Sequence, residues 1–493
     1  MEQINFGFDN SYARLPERFY ARLEPTAVKA PGPVIVNDAL ALSLGLEPQA
    51  LGTPEAAEIF AGNCLPPGAE PLAMAYAGHQ FGHFVPQLGD GRAILLGEII
   101  DKDGIRQDIH LKGAGRTPYS RGGDGRAALG PVLREFILSA HMKALGIPTT
   151  LALAAVTTGE AVYREDLKPG AVLTRVAKSH LRIGTFEYFA AREDLEALKL
   201  LIDFAIDRHD PDLKAEPLPA LGLLRRVMER QAALVAKWIS VGFIHGVMNT
   251  DNTSISGQTI DYGPCAFLDT YHPDKVFSSI DQGGRYAFMN QPGILQWNLG
   301  QLAYCLLPFI DEDLKTAVAM AQEVVDALPE TFSNNLRRAF AAKLGLRDGA
   351  DDALGLGLEL LELMAAGEAD FTNTFRSLPQ AIAETSGVSP FAQQFADPKT
   401  VSEWVARWRI RITEDNETID QAEDRLKAAN PAVIARNHRV EEVIRAAEDH
   451  ADYAPLYDLL AVLEKPFDDQ RQGAKYALAP NPEEEVKQTF CGT

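Results

Sequence analysis

A short polar stretch between His245 and Gly263, HGVMNTDNTSISGQTIDYG, constrains this chain more than any other part of the sequence. It carries two oxygen-bearing side chains, Asn252 and Asp261, nine residues apart across a polar turn. Hard divalent cations that bind phosphates are held by one or two such oxygens, while water and substrate phosphates complete the coordination. The stretch therefore predicts a loop that holds a hard divalent cation beside a phosphate-bearing substrate.

Protein kinases have the same order of parts: a loop that begins with His, a metal-binding Asn seven residues later, and an Asp-Phe-Gly whose Asp binds metal. Here His245 precedes Asn252 by seven residues, and Asp-Tyr-Gly at 261–263 replaces Asp-Phe-Gly. The position of the kinase base is taken by Val247, which cannot accept a proton. Asp251 is the only carboxylate close by, so we predict a kinase-like metal site with rearranged chemistry. His245 itself is expected to be structural and hydrogen-bonded.

Composition and charge exclude several classes of protein. The chain has 493 residues and a net charge of −21, which argues against general nucleic-acid binding because that needs clustered Lys and Arg. The N-terminus has neither a basic nor an apolar signal region, and no apolar run reaches the length of a membrane span. The four cysteines are too scattered for a disulfide framework or a zinc site. We therefore expect a cytoplasmic protein without a signal peptide.

Residues 84–112 predict three antiparallel strands, at 84–88, 93–99 and 105–112, with a glycine-bearing turn at 89–91. Kinase N-lobes cover ATP with such a hairpin, followed by a strand that ends in Lys. Here that residue is Lys112, and Arg92 adds positive charge beside the turn. On this last strand Ile109 and Leu111 are predicted to face one way, and His110 and Lys112 the other. The alternative is that Gly89-Asp90-Gly91 is only a tight turn, and taken alone the Gly-Asp-Gly sequence favours that alternative.

Residues 113–126, GAGRTPYSRGGDGR, form a second glycine-rich loop. Its three arginines, in an acidic protein, indicate a polyanionic ligand rather than a flexible linker. A helix is predicted over 127–145, and Glu135 on it either pairs with Lys112, as in kinases, or faces solvent. Arg175 and Arg182 flank the turn before a helical region, so each either neutralises a phosphate or forms a surface salt bridge.

Five longer segments carry a resemblance to a known family: GHQFGHFVPQLGDGRA, LKGAGRTPYSRGGDGRAALGPVLREF, LTRVAKSHLRIGTFEYF, GFIHGVMNTDN and DYGPCAFLD. With them the chain closely resembles the selenoprotein O family over nearly its whole length. That family has a protein-kinase-like fold and transfers AMP from ATP to Ser, Thr or Tyr hydroxyls of proteins. Its ATP is flipped relative to that of kinases. The resemblance therefore implies a protein adenylyltransferase that uses ATP with Mg²⁺ or Mn²⁺.

The resemblance also implies residue roles. The residues implied to contact the nucleotide are Gly89, Gly91, Arg92, Lys112, Asp124, Gly125, Arg175, Arg182 and Asp261. Glu135 would pair with Lys112, Asp251 would accept the proton, and Asn252 and Asp261 would bind the metal. The partners expected are ATP and protein hydroxyls, with no nucleic acid, no membrane and a monomeric state.

The implied architecture is α+β: a bilobal kinase-like fold with a small antiparallel N-lobe sheet and a large, mostly helical C-lobe. We expect an N-terminal extension over 1–75, the N-lobe over 76–180, the C-lobe with catalytic loop and activation segment over 181–468, and a mobile tail over 469–493. Within the C-lobe, residues 264–292 after the Asp-Tyr-Gly resemble the activation segment. The tail is polar and rich in charge, which is typical of mobile termini.

Two further pairs of residues invite a chemical interpretation. Many eukaryotic members of the family carry selenocysteine near the C-terminus, where this chain has Cys491. One hypothesis is a regulatory disulfide between Cys265 and Cys491, and the alternative is two unrelated cysteines. The pair His79 and His83 has a metal-binding spacing, but no third ligand is evident and the sequence disfavours a metal there.

Three classes of function remain open from the sequence. The first is protein adenylyltransfer, the second is phosphotransfer with Asp251 as an unusual base, and the third is nucleotide binding without catalysis, which Val247 suggests. Transfer of UMP from UTP with Mn²⁺ is a variant of the first.

Overall fold

The fold is that of a computed structural model, which describes residues 4–383, 389–415, 418–469 and 473–490. Most strands lie before residue 178 and helices fill most of the chain after it. Among the described residues the strands are β1 (Tyr20–Arg22), β2 (Gly32–Val36), β3 (Leu72–Met74), β4 (Gly78–Gln80), β5 (His83–Val85), β6 (Ala93–Ile100), β7 (Arg106–Lys112), β8 (Ala127–Ala128), β9 (Leu151–Tyr163), β10 (Leu167–Ala177), β11 (Phe243–Ile244) and β12 (Ala266–Phe267).

The described α-helices range from four to 22 residues in length. In the same ranges they are α1 (Asp38–Ser43), α2 (Pro48–Leu51), α3 (Pro54–Phe60), α4 (Leu129–Ala144), α5 (Ile183–Ala190), α6 (Leu195–His209), α7 (Pro219–Ser240), α8 (Gln291–Leu306), α9 (Leu314–Asp326), α10 (Leu328–Lys343), α11 (Ala353–Ala366), α12 (Phe371–Arg376), α13 (Leu378–Ala383), α14 (Ser402–Asp415), α15 (Ile419–Ala429), α16 (Asn437–His450), α17 (Ala454–Leu463) and α18 (Ala474–Ala477). None of these helices is both long and apolar enough to cross a membrane.

The main sheet is antiparallel and has the strand order β1-β3-β6-β7-β10-β9-β2, with β8 paired to β10. Strand β7 lies in its middle, so Lys112 stands opposite Ala93 of β6 and Leu173 of β10. Because side chains alternate across a strand, the fully buried Ile109 and Leu111 face one apolar core while Lys112 faces the other side. The alternation predicted for this strand is confirmed, and it aims the lysine at the loop 245–263.

The predicted hairpin across Gly89-Asp90-Gly91 is wrong. Strand β5 pairs with β4 in a separate two-stranded sheet, whereas β6 pairs with β7 and β3. The reason is local: Phe81 and Gly82 both have positive φ, which gives a tight two-residue turn that joins β4 to β5. The second predicted hairpin, between β6 and β7, is confirmed.

The segment before residue 76 adds β1, β2 and β3 to the main sheet, although its sequence gave no strand motif. Helix α4 confirms the helix predicted over 127–145, and it packs across β9 and β10. Its buried face is mostly apolar, and the charged residues Arg134 and Glu135 are buried on it together with Ser139 and His141. Such charged groups are almost never fully buried unless they are paired, so both need partners inside the fold.

The described part of the C-terminal tail touches the segment that follows the Asp-Tyr-Gly. Thr489 is buried, its Oγ1 donates to the carbonyl of Pro264 at 2.5 Å, and its N–H donates to that of Phe277 at 2.8 Å. The last described residues therefore lie against the predicted activation segment.

Candidate active site

A cavity of about 320 Å³ lies between β7 and the loop 245–263. The sequence-predicted residues that line it are Gly91, Arg92, Lys112, Arg175, Arg182, Asp251, Asn252 and Asp261. A neighbouring cavity of about 340 Å³ shares Gly91 and Arg92 with the first and is lined by Gly89, Asp124 and Gly125. Together the two cavities bring all the predicted nucleotide and metal residues to one place.

One side of the cavity is a closed cluster of opposite charges. Lys112 Nζ lies 2.7 Å from Glu135 Oε2 and 2.8 Å from Asp261 Oδ1. Arg175 donates from Nε to Glu135 Oε1 at 2.6 Å, and its Nη2 lies 3.9 Å from Asp261 Oδ1. The two cations and two carboxylates thus neutralise one another, which offsets the desolvation cost of keeping these charges inside the protein.

The cluster keeps both carboxylates ionised. Burial alone would raise the pKa of Glu135, but Arg175 and Lys112 lower that pKa to about 2. Burial likewise opposes ionisation of Asp261, yet Lys112, Arg175 and Arg92 hold its pKa far below the usual range. Asp261 is therefore a permanent negative charge at neutral pH, as a metal-binding carboxylate must be.

The backbone around Asp261 is held from both sides. Asp261 has φ +65°, a left-handed conformation that Asp tolerates better than most residues and that often marks functional sites. His245 Nε2 bonds to the carbonyl of Ile260 at 2.8 Å, and Arg134 Nε donates to that of Gly263 at 3.1 Å. These bonds bracket the Asp and confirm the structural role predicted for His245.

Asp251 lines the same cavity, and its surroundings are very different. Its side chain is buried, and its one recorded side-chain partner among the described residues is Gln80, whose Nε2 lies 3.3 Å from Oδ2. Burial raises the pKa of Asp251 to about 6, although Arg182 opposes that shift. A carboxyl group with a pKa near neutrality is suited to proton transfer.

Asn252 follows Asp251 and points its amide into the same cavity. Its Nδ2 donates to the carbonyl of Val247 at 3.1 Å, which turns the side-chain oxygen away from that carbonyl. Val247, at the kinase base position, thus contributes a backbone oxygen and an apolar side chain to the cavity, which Asp251 of the same loop also lines.

Arg182 belongs to a third group of side chains, which also contains Tyr76, Asp90 and His110. Its guanidinium lies over the ring of Tyr76 at 4.3 Å, and its Nη2 is 3.8 Å from Asp90 Oδ1. Asp90 Oδ2 is also 3.2 Å from His110 Nε2, and its pKa is about 2 because His110 and Arg182 outweigh the effect of burial. The Gly-Asp-Gly signal located Asp90 only as part of a turn, and nothing in the sequence pointed to Tyr76, Gln80 or His110.

The glycine-rich loop at 113–126 forms the wall of the neighbouring cavity. Asp124 pairs with Arg164 at 2.9 Å, and Gly125 has φ +70°. A Cβ on Gly125 would lie 2.1 Å from the carbonyl oxygen of Gly115, so only glycine fits there. The close backbone approach leaves main-chain groups facing the cavity, a common arrangement for phosphate binding.

The residues present fit a hard divalent cation. Lys112 and Arg175 both approach Oδ1 of Asp261, so Oδ2 is the oxygen that neither of them contacts. Together with the Asn252 oxygen it makes a pair of hard ligands in one cavity. Within the described ranges, no group of three or more His, Cys, Asp or Glu residues is arranged to hold a metal. A cation here would therefore rely on phosphate oxygens and water for its remaining ligands.

The other candidate residues lie apart from this chemistry. Cys265 is buried, and its Sγ–H donates to the carbonyl of Tyr262 at 3.2 Å. Cys491 lies outside the described residues, so the predicted disulfide has no structural counterpart to report. His79 bonds through Nδ1 to Glu187 at 2.5 Å, whereas His83 is exposed, so the two histidines do not share a metal-like site.

Comparison with known proteins agrees with this site. The family model described as "Protein adenylyltransferase SelO" matches residues 2–464. A relative named "Protein nucleotidyltransferase YdiU" from Bradyrhizobium sp. (strain ORS 278) is 56% identical over 490 residues, covering 99% of this chain and 100% of the relative. Proteins of the same name from Rhodopseudomonas palustris and Rhizobium rhizogenes are 55% and 56% identical, covering 99% of this chain and 99% and 97% of their own lengths.

The charged cavity and these full-length matches define the chain as an enzyme of the nucleotidyltransferase class. It belongs to the SelO family of protein adenylyltransferases.

Proposed function

We propose that this enzyme transfers AMP from ATP to Ser, Thr or Tyr hydroxyls of proteins and releases pyrophosphate. The observation that carries the proposal is the convergence, in one cavity, of Asp251 with the Asn252–Asp261 pair and the cations Lys112 and Arg175. Family membership supports the same reaction.

The distribution of charge supports a particular orientation of ATP. The cations Lys112 and Arg175 line the cavity as one ion-paired cluster, Arg92 lines it as well, and Asp251 lines it outside that cluster. If the cations bind the β- and γ-phosphates, the α-phosphorus faces Asp251. Pyrophosphate is then the leaving group, and its charge is neutralised by groups that are already in place.

Asp251 is proposed as the proton acceptor. The acceptor hydroxyl transfers its proton to the carboxylate as its oxygen bonds to the α-phosphorus, and the bond from that phosphorus to the bridging oxygen of pyrophosphate breaks. Asn252 and Asp261 would hold Mg²⁺ or Mn²⁺, which supplies positive charge to the phosphates when it is bound. Lys112, kept in place by Glu135, orients the nucleotide.

A kinase-like bilobal architecture belongs to the same proposal. A Lys on the central β7 pairs with a Glu on α4, and the metal residues follow β11, which is the order found in kinases. The proposed division is an extension over 1–75, an N-lobe over 76–180, a C-lobe over 181–468 and a tail over 469–493. We propose that the enzyme acts on proteins as a monomer in the cytoplasm.

Two alternatives make different predictions from the same cavity. Kinase activity would need the γ-phosphorus near Asp251, and a pseudokinase would bind ATP without any transfer. The raised pKa of Asp251 favours catalysis over simple binding, because an ionisable carboxyl without an ion-pair partner is costly to keep buried.

Labelled ATP separates these activities. The protein is incubated with Mg²⁺ or Mn²⁺ and ATP labelled on either the α- or the γ-phosphate, and protein-bound label is measured, including self-modification. Label from the α-phosphate alone is expected. Label from the γ-phosphate would indicate a kinase, and no label despite ATP binding would indicate a pseudokinase. A parallel reaction with α-labelled UTP and Mn²⁺ measures UMP transfer.

A further inference from the structure

The small hairpin β4–β5 lies directly against the loop that carries Asp251. Three successive hairpin residues bind three successive loop residues. The N–H of His79 donates to Thr250 Oγ1 at 2.7 Å, Gln80 Nε2 lies 3.3 Å from Asp251 Oδ2, and the N–H of Phe81 donates to Asn249 Oδ1 at 3.0 Å. The hairpin therefore contacts the loop over residues 249–251.

The two oxygens of Asp251 meet different parts of this hairpin. A Cβ on Gly78 would lie 2.7 Å from Oδ1 and 3.0 Å from Cγ, so the carboxylate is packed against the bare backbone of β4. Oδ1 is fully buried, and no described residue donates a hydrogen bond to it from a side chain. Oδ2 is the oxygen on the Gln80 side, and both Gln80 and Asp251 line the cavity.

The hairpin is itself fixed at its turn and base. Phe81 adopts φ +51°, which is unusual for a bulky residue, and its ring packs on Tyr286 at 5.1 Å between centroids. The hydroxyl of Tyr286 also donates to Asn249 Oδ1, so one amide oxygen joins the hairpin to the predicted activation segment. At the base, Glu187 accepts from Thr250 Oγ1 and pairs with His79, each at 2.5 Å.

We propose that Gly78 and Gln80 are positioning residues for Asp251: Gly78 seals Oδ1, and Gln80 holds Oδ2 towards the cavity as the oxygen that receives the proton. This inference rests on the proposed role of Asp251 as proton acceptor. A donor at position 80 fixes the carboxylate in one rotamer, and small misplacements of a base cost large factors in rate. The absence of a side chain at position 78 is needed because any Cβ would push the carboxylate away.

Two substitutions at Gln80 separate positioning from packing. Gln80→Met keeps length and shape but removes the donor, whereas Gln80→Lys keeps a donor of similar reach. Gly78→Ala displaces the carboxylate from the other side, and His83→Ala, at the exposed end of the hairpin, is the matched control. All four proteins are compared for transfer of label from ATP and for binding of α,β-methylene ATP, a nucleotide that cannot release pyrophosphate.

The expected result is a split between turnover and binding. Gln80→Met and Gly78→Ala should lose about tenfold or more in kcat while the Kd for the analogue stays within about twofold. Gln80→Lys should keep more turnover than Gln80→Met, and His83→Ala should match the parent protein. The assignment is overturned if Gln80→Met keeps full turnover, if Gln80→Lys is no better than Gln80→Met, or if binding falls in step with kcat.

The same experiment keeps the two proposals apart. The label transferred by the parent protein, from the α- or the γ-phosphate, decides the reaction type. The ratio of kcat between Gln80→Met and Gln80→Lys decides the positioning role for whichever label is transferred. A parent protein that transfers neither label would remove the proton-acceptor role and the positioning role with it.

Discussion

Glu135 and Asp261 share Lys112 and Arg175, whereas Asp251, which lines the same cavity as these two cations, accepts one long hydrogen bond from Gln80. The pKa of Glu135 is lowered to about 2, while that of Asp251 is raised to about 6. The surroundings of these two buried carboxylates thus shift their pKa values in opposite directions. Pairs of this kind mark a division of labour between binding and proton transfer.

This difference shows which part of the site lowers the stability of the fold. The Lys112–Arg175 cluster, which is proposed to bind the phosphates, is neutralised by Glu135 and Asp261 of the protein itself. Asp251, the proposed proton acceptor, is buried, and burial raises its pKa to about 6, so its ionisation lowers stability as pH rises through that value. Such local costs are common at catalytic sites, where function limits stability.

Replacing Asp261 should have the largest effect. Asp261→Asn keeps the left-handed backbone but removes the charge shared by Lys112 and Arg175 and one proposed metal ligand. We expect transfer to fall on the order of 10³-fold or more, and metal-dependent ATP binding to weaken. Transfer assays and calorimetric titration of ATP with and without Mg²⁺ measure both. Full activity in this variant would remove Asp261 from the site.

Replacing Asp251 should separate activity from stability. Asp251→Asn is expected to lose about 10²-fold or more in transfer and to bind ATP normally, because Lys112 and Arg175 are untouched. Its free energy of unfolding at pH 7 should also be higher, by up to about 3 kcal/mol, because the buried charge is gone. The gain should appear as a higher unfolding temperature. Asp274→Asn, at an exposed position, is the control. Equal losses of ATP binding and transfer would contradict the proposed division between binding by Lys112 and Arg175 and proton transfer by Asp251.

Glu135→Gln should change stability in the opposite direction. The substitution leaves Arg175 and Lys112 with Asp261 alone, and breaking a buried pair in this way costs about 3–5 kcal/mol. Transfer should fall by only about tenfold, because Lys112 keeps its bond to Asp261. Chemical unfolding beside the exposed control Glu312→Gln measures the loss. A variant as stable as the parent would show that the cluster does not support the fold.

A pH series on the metal-free proteins gives the smallest and most specific effect. The folded pKa of Asp251 is raised, so its contribution to stability is present below about pH 4 and is lost as pH rises through about 6. The advantage of Asp251→Asn should therefore shrink by more than half between pH 7 and pH 4.5. The folded pKa of Glu135 is depressed to about 2, so the penalty of Glu135→Gln should persist over that window. Parallel curves for the two variants would contradict the assignment.

The parts of the site that follow from local spacing could be predicted from the sequence. Asp251, Asn252 and Asp261 lie on one polar loop, so their spacing alone indicated a metal site. The alternation in β7 was equally readable, and it placed Lys112 on the face opposite Leu111. Motifs within one segment depend on a few neighbouring residues, so tertiary contacts do not change them.

The parts that depend on tertiary contact were missed. Gln80 and Tyr76 reach the cavity only because the hairpin β4–β5 folds back onto the catalytic loop. The turn that makes this hairpin contains Phe81 at positive φ, a residue type that normally argues against such a turn. The predicted pairing of residues 84–88 with β6 therefore followed the ordinary turn signal at Gly89 and was wrong.

The orientation of ATP is the central claim, and a structure with α,β-methylene ATP and Mg²⁺ tests it most directly. The account predicts that the β- and γ-phosphates contact Lys112 and Arg175, and that the α-phosphorus is the phosphorus atom nearest to Asp251 Oδ2. A structure in which the γ-phosphorus is nearest to Asp251, or in which Asn252 and Asp261 do not share one metal ion, would contradict it.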